Sequence, residues 1–240
     1  MIKQIHRAFL KTILAYTVYF LGGIGLLIYG YIATDGGNLI VTLTFVFFLL
    51  TIFVTSYASD RLTYFMNLSY LHRIYEQQGE PLQVTRMHDL SQLTAYLKQH
   101  DYKLHKRDQR HAFFYRVKHD TIKKMLAMNI LEVVIYLNKD EPEFYVDEYN
   151  DEINRLKDSL LNQKIKVNRL LITQIKHIDT LDETTKKQLA EIIFIRTRHN
   201  VISTVNIGIL DNTYAVMEYS DTYSPSLYYT YHIDEIKSMV

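Results

Sequence analysis

Two long uncharged runs near the N-terminus constrain this chain more than any motif in it. No charged side chain lies between Lys11 and Asp35, and none between Asp35 and Asp60. Ile13 to Ile32 reads ILAYTVYFLGGIGLLIYGYI, and Leu39 to Tyr57 reads LIVTLTFVFFLLTIFVTSY. A helix needs about 20 apolar residues to cross about 30 Å of hydrocarbon, and each run supplies them. Every backbone N–H in hydrocarbon must be paired within its own segment, so both runs are expected as helices. Thr34-Asp35-Gly36-Gly37-Asn38 between them is a turn signal. So short a connector forces an antiparallel hairpin with both ends on one side. Lys3, Arg7 and Lys11 precede the first run, Arg61 and Arg73 follow the second, and the connector carries only Asp35. That Lys/Arg bias places both termini on the cytoplasmic side, with the hairpin in the inner membrane.

A cleaved signal peptide is the competing reading, because the three N-terminal cations resemble a positive n-region. The first run is long for that role, its end (YGYIAT) is a poor small-residue cleavage site, and a second run follows at once. Gly22, Gly23, Gly25 and Gly30 would let the helices approach closely, although they form no G-x-x-x-G pair. Neither run holds an acidic or basic residue, which argues against an ion pathway, a proton relay or a voltage sensor. The hairpin reads as an anchor with the lipid bilayer as its first partner.

The absence of cysteine removes disulfides, thiolate metal sites and Cys nucleophiles, and agrees with a reducing compartment. The formal net charge of +1 conceals local asymmetry. Twenty tyrosines with abundant Ile, Asn and Lys fit an A/T-rich bacterial genome. The expected organisation is a basic segment over 1–12, a hairpin over 13–57 (13–32 and 39–57), a juxtamembrane helical stalk and linker over 58–80, and a cytoplasmic domain over 81–240. In the stalk, Tyr64, Leu68, Leu71 and Tyr75 share one helical face. They would pack on the domain, the membrane surface or another subunit. Gly79 and Pro81 stop the helix.

Leu90, Leu93, Tyr96 and Leu97 predict a helix. Tyr102 to Asp108 and Ala112 to His119 predict a hairpin, and the β-branched run from Ile130 to Leu137 predicts a buried strand. Val146, Tyr149, Ile153, Leu156 and Leu160 mark a long amphipathic helix. Val167 to Ile178 reads as a strand, and Thr184 to Ile193 as a short helix. Val201 to Leu210, Thr213 to Tyr219 and Leu227 to Ile233 read as three strands, with a turn at Asp211-Asn212. In the last of these, Leu227, Tyr229, Tyr231 and Ile233 would face the core, with Tyr228, Thr230 and His232 outward. Asp234 to Val240 would add a helical turn. The order αβββαβαβββ defines an α+β domain with a mixed β-sheet.

The first six elements, αβββαβ, resemble in order the core of restriction-endonuclease-like nucleases. That resemblance implies a D…ExK site on the second and third strands. Asp120 precedes the third strand and Glu132 lies on it, but Val133-Val134 follows, so the Lys of ExK is missing. Metal-assisted phosphodiester cleavage needs carboxylates for the ion and usually a cation near the nucleophile, and this spacing does not supply them.

Two charged segments stand out. Lys139 to Glu152 holds seven acids against one Lys, with Glu143, Asp147 and Asp151 four residues apart on one helical face. It reads as a divalent-cation or basic-partner site, or as acids complementing a helix dipole with Lys157 and Lys164 toward the other end. It lacks EF-hand spacing. Lys98 to Lys124 holds Lys98, Lys103, Lys106, Arg107, Arg110, Arg116, Lys118, Lys123 and Lys124 against Asp101, Asp108 and Asp120. Three readings apply to it: anionic lipid headgroups at the inner leaflet, nucleic acid, or a solvated hairpin face. Its four histidines, His100, His105, His111 and His119, lack tight ligand spacing, so no metal site is expected. The soluble part has no G-x-S-x-G, Walker A or Rossmann glycine pattern.

The sequence therefore predicts a membrane-anchored cytoplasmic binding or regulatory module with no cofactor and an unknown protein partner. A membrane-tethered hydrolase or nuclease-like protein and a membrane-linked nucleic-acid binder stay open as other classes.

Overall fold

A computed structural model describes residues 2–33, 37–122, 128–141, 143–144, 147–197 and 200–240. The chain divides into two compact units, Met1–His72 and Arg73–Val240.

The first unit contains helix α1 (Ile2–Ala33) and most of helix α2 (Asn38–Glu76). Thr34, Asp35 and Gly36 of the predicted turn lie outside the described residues. Both helices are long and apolar enough to cross a membrane. Large apolar side chains stand exposed along them, among them Leu14, Val18, Leu21, Leu26, Phe45, Phe48 and Phe53. A surface this apolar is not one that water selects. The two helices run antiparallel. Tyr16 shares a hydrogen bond with Thr55 (2.9 Å), and Tyr19 shares one with Thr51 (3.3 Å). Phe47 lies so close over Gly23 that an added Cβ would sit 2.0 Å from its ring, and Ile40 lies against Gly30. Gly23 and Gly30 therefore permit the close approach read from the sequence, whereas Gly22 and Gly25 face open space.

In the second unit the order is β1 (Leu82–Gln83), α3 (Leu90–Gln99), β2 (Lys103–Arg107), β3 (His111–His119), β4 (Asn129–Leu137), α4 (Asp147–Asn162), β5 (Val167–Ile178), α5 (Glu183–Leu189), β6 (Ile193–Arg196), β7 (Val201–Leu210), β8 (Tyr214–Val216) and α6 (Leu227–Met239). The strands form one mixed sheet in the order β1-β8-β7-β5-β4-β3-β2, with β6 also on β7. Strands β2, β3 and β4 are an antiparallel meander; β5 joins β4 in parallel, and β7 joins β5 in parallel. The αβββαβ order of the first half is thus realised. The β7–β8 turn uses Asp211 (φ 50°) and Asn212 (φ 54°), residue types that tolerate left-handed backbone.

Helix α4 covers one face, where Tyr149, Ile153, Leu156 and Leu160 share one apolar cluster with Phe113, Leu131, Val133, Ile135, Leu170 and Ile172. Val146, the first residue of the predicted stripe, lies outside the described residues. The other face carries Arg116, Glu132, Thr173 and Ser203, which bond to α6 and to the end of α3. Asp89 caps α3 by accepting from the Gln92 N–H (2.8 Å), and Leu93 and Leu97 form its buried stripe.

The segment Leu227 to Ile233 is helix and not strand. Ser226 caps it by accepting from the Tyr229 N–H (3.1 Å). Its buried positions are Tyr228, Tyr229, His232, Ile233, Ile236 and Met239, a helical stripe, while Leu227 is exposed. So short a run, rich in tyrosine, fits both periods, and the cap with the continuing stripe to Met239 decides for helix. Strand β6 begins at Ile193, the last residue of the helix predicted over Thr184 to Ile193, and β8 is shorter than the expected Thr213 to Tyr219.

The unit also begins before Pro81. Ile74 is fully buried. Tyr75 donates to the Ala190 carbonyl, Arg73 lies over the Tyr223 ring, and Gly79 N–H donates to Tyr219 O (2.7 Å). A Cβ on Gly79 would meet the Tyr219 ring at 2.4 Å. Residues 73–80 therefore act as part of the domain and not as a free linker.

Candidate functional site

The two charged segments meet at two points. Arg110 makes a bidentate pair with Glu141 (2.8 and 3.1 Å), and His105 Nε2 meets Glu152 Oε1 at 2.8 Å. Lys106 lies 3.7 Å from Asp108. Arg116 leaves the basic surface altogether: it is buried in an ion network, and Lys118 joins the network through Glu235 (3.2 Å) and Tyr231 (3.0 Å). Seven of the nine basic residues from Lys98 to Lys124 are described, and of these Lys98, Lys103 and Arg107 make no ion pair among the described residues. Lys103 and Arg107 stand on β2, the sheet's edge strand, where cations also discourage strand addition. Lys123 and Lys124 lie outside the described residues, as do the side chains of Asp147 and Glu148.

The carboxylates singled out by the nuclease resemblance are structural. Glu132 on β4 faces Arg116 on β3 across the ladder. Its Oε2 accepts from Tyr102 Oη (2.7 Å) and from Arg116 Nε (2.9 Å) and Nη2, and its Oε1 accepts from Tyr231 Oη (2.6 Å). Arg116 also donates to Glu235 (2.7 Å) and to the His100 carbonyl (2.9 Å), and lies over the Tyr102 ring. Burial and then the Glu132 charge raise the Tyr102 pKa. Burial also raises that of Tyr231, with its hydrogen bond to Glu132 second. Both hydroxyls thus stay protonated donors. Asp120 is equally buried. Tyr228 donates to its Oδ2, Arg169 Nε lies 3.8 Å from that oxygen, and Ile122 N–H donates to Oδ1 (3.0 Å). A metal ion would have to displace these bonds. Among the described residues, no group of three or more His, Asp or Glu is arranged to hold one.

A second buried polar group sits beneath α6. His232 shares hydrogen bonds with Thr173 Oγ1 (3.0 Å) through Nε2 and with Ser203 Oγ (2.9 Å) through Nδ1. Burial holds its pKa down to about 3. Ser203 is fully buried, so this His–Ser pair has no access to a substrate.

The open site lies at the carboxyl ends of β4, β5 and β7. Ligands of open α/β sheets bind in this position, outside the ends of parallel strands. Here the sheet edge and the start of α3 bound a cleft of about 590 Å³, a volume within the usual range for small-molecule sites. Tyr136 and His177, on neighbouring parallel strands, meet edge to face with centroids 5.9 Å apart. His88 from the start of α3 is tied to Asn212 O (2.9 Å), and Asp211 follows β7. Some of the wall charges pair off: Lys139 with Asp179 (2.5 Å) and His111 with Asp108 (3.3 Å). Asp108 accepts the N–H groups of Arg110 and His111. Burial works to raise its pKa, but those bonds outweigh it and lower it. Arg107, Asp89 and Asp211 have no ion pair among the described residues.

His177 is the informative member of the cleft. Its Nε2 is buried and makes no hydrogen bond of normal geometry among the described residues, and buried polar atoms in that state call for an explanation. Burial lowers its pKa; a side-chain hydrogen bond of the ring with Asn212 raises it, Lys139 lowers it and Asp89 raises it, and the net is downward. The ring is therefore held neutral, able to donate or accept. Burial and then Asp89 raise the Tyr136 pKa, keeping that hydroxyl protonated. The cleft offers neutral hydrogen-bonding groups on its floor and charges of both signs on its rim. Its residues come from five separate chain segments, so no motif or local spacing announces them.

No protein-family model matches the chain, and neither a curated protein nor a solved structure matches it.

Proposed function

We propose that the chain is a membrane-anchored binding module. In this reading α1 and α2 cross the inner membrane as a hairpin, with the unit from Arg73 to Val240 in the cytoplasm. The cleft beside Tyr136 and His177 takes a small polar ligand bearing groups of both charge signs. The observation that carries the reading is the cleft at the parallel strand ends, with His177, whose Nε2 is buried, among its lining residues. Binding is favoured over hydrolysis because the two carboxylates at nuclease-like positions, Asp120 and Glu132, are consumed by Tyr, Arg and backbone donors. Nucleic-acid binding is weakened by the pairing of Arg110 with Glu141 and by the burial of Arg116.

A ligand panel tests the cleft. Amino acids, sugar phosphates and nucleotides are screened for thermal stabilisation of the Arg73–Val240 unit. A ligand at 100 times its Kd stabilises by about 2.7 kcal/mol, which for a domain of this size raises the midpoint by roughly 5–10 °C. Arg107→Ala with His177→Ala is expected to abolish that rise. Ligands that stabilise wild type and variant equally would remove the cleft from the reading.

Orientation is tested separately. Because the chain has no cysteine, Gln109→Cys provides a single thiol on the cleft rim. A membrane-impermeant maleimide is expected to label it only after cells are permeabilised. Labelling in intact cells would reverse the topology.

A further inference from the structure

We propose that the gap between α1 and α2 beside Lys11 and Arg61 seats one anionic phospholipid. An acyl chain would lie between the helices, with the phosphate on the two cations. This rests on the membrane-hairpin reading above and adds a ligand to it. The gap measures about 450 Å³. Elsewhere the helices close on one another, through Phe47 over Gly23 and Ile40 against Gly30. On the N-terminal side of Tyr16, Ala8, Thr12 and Ala15 line the gap opposite Val54 and Ala58, leaving it open.

The walls suit hydrocarbon. Thr12 spends its hydroxyl on the Ala8 carbonyl (3.0 Å), and Tyr16 shares its own with Thr55 (2.9 Å). The groove therefore offers few free polar groups to hold ordered water. The mouth suits an anion. Lys11 makes no ion pair among the described residues. Arg61 donates to Tyr57 Oη (3.1 Å) and lies over the Tyr57 and Phe65 rings, with no carboxylate on it among the described residues. Lys3 and Arg7 precede Lys11 at four-residue spacing and raise the potential along the same helix face. Lys11 comes just before the first apolar run and Arg61 just after the second, so both stand at headgroup depth. Basic pockets between helices at this depth on the cytoplasmic side hold anionic headgroups. A soluble phosphate would use the cations and leave the apolar groove empty; a phospholipid uses both.

The test is native mass spectrometry of the full chain in mild detergent, supplied with equal amounts of phosphatidylglycerol and phosphatidylcholine. At about fivefold per cation, the expected preference for phosphatidylglycerol at low salt is about 30-fold. Lys11→Gln with Arg61→Gln should bring it close to parity. Ala15→Leu keeps every charge but fills the groove, and should remove the bound lipid. If the double variant keeps the preference, the headgroup assignment is wrong. If Ala15→Leu keeps it, the cations act as a diffuse surface and there is no seat. Alkaline carbonate extraction of the same membranes separates the two readings. A chain released by carbonate is not integral, and anchor and seat fall together. A chain that stays in the membrane yet binds both lipids equally loses the seat alone.

Discussion

The two faces of the sheet are closed in different ways. Beneath α4, Phe113, Leu131, Val133 and Ile135 meet Tyr149, Ile153, Leu156 and Leu160 in an apolar cluster. Beneath α3 and α6, the same sheet presents Arg116, Glu132, Thr173 and Ser203 to Tyr102, Tyr231, His232 and Glu235. Apolar packing is non-directional and tolerates adjustment. A buried ion network does not, because each group must find its own partner or carry the full desolvation cost. The contrast indicates that α4 is held mainly by area and α6 by geometry. It also explains why Arg116, part of the basic segment in the sequence, is buried and not on the surface.

The largest expected effect breaks the network. Glu132→Leu in the Arg73–Val240 unit leaves Arg116 buried without its main partner and should cost about 3–5 kcal/mol in urea unfolding. Adding Arg116→Met to Glu132→Leu should recover much of that loss, because replacing a whole buried pair by apolar groups is often neutral. On the other face, Ile135→Ala should cost about 2–5 kcal/mol through its cavity, and no charge substitution should restore it. A Glu132→Leu cost within about 0.5 kcal/mol, the range of ordinary surface changes, would mean that the ion network does not hold the α6 face.

The apolar face was legible in the sequence and the polar face was not. Val167 to Ile178 and Val201 to Leu210 match the observed strands end to end, because long β-branched runs leave little choice. The spacing of Tyr149, Ile153, Leu156 and Leu160 likewise fixes α4. The failures lie where residue type is ambiguous. Arg116 and Glu132 read as a surface cation and a degenerate active-site acid, since nothing local shows that they stand opposite one another in the β3–β4 register. Tyr228 to His232 alternates as a strand would, and only the Ser226 cap and the stripe continuing to Met239 reveal the helix. The cleft shares that difficulty: His88, Tyr136, His177 and Asp211 become neighbours only through the parallel pairing of β4, β5 and β7.

The smaller expected effect sharpens the contrast through pH. His232 is 3% exposed, and burial lowers its pKa from 6.5 to about 3, with Glu235 pulling weakly the other way. Above pH 6.5 the ring is neutral in both folded and unfolded chains and contributes no slope. Below 6.5 the unfolded chain takes up a proton that the folded chain refuses until about pH 3. Stability therefore falls as the pH drops, by about 1.4 kcal/mol per unit, or about 2 kcal/mol at about pH 5. His177, also lowered by burial, adds a loss of the same sign, and His177→Gln removes that part. Carboxylates with lowered pKa, such as Glu235 under the Arg116 bond that overcomes its burial, lose their contribution mainly below their ordinary range near about 4. Burial raises the pKa of the Glu218 carboxyl, which opposes the histidines as the pH falls, so the His232 part is read as the difference in slope between wild type and His232→Gln over the window from about 6.5 to about 5. His232→Gln keeps a hydrogen-bonding side chain for Thr173 and Ser203 and carries no titrating ring. Its urea-unfolding free energy should be lower than wild type at about pH 7 but flatter toward about pH 5. A His232→Gln curve with the same slope as wild type over that window would mean that water reaches His232, and that α6 seals the polar face less tightly than α4 seals the apolar one.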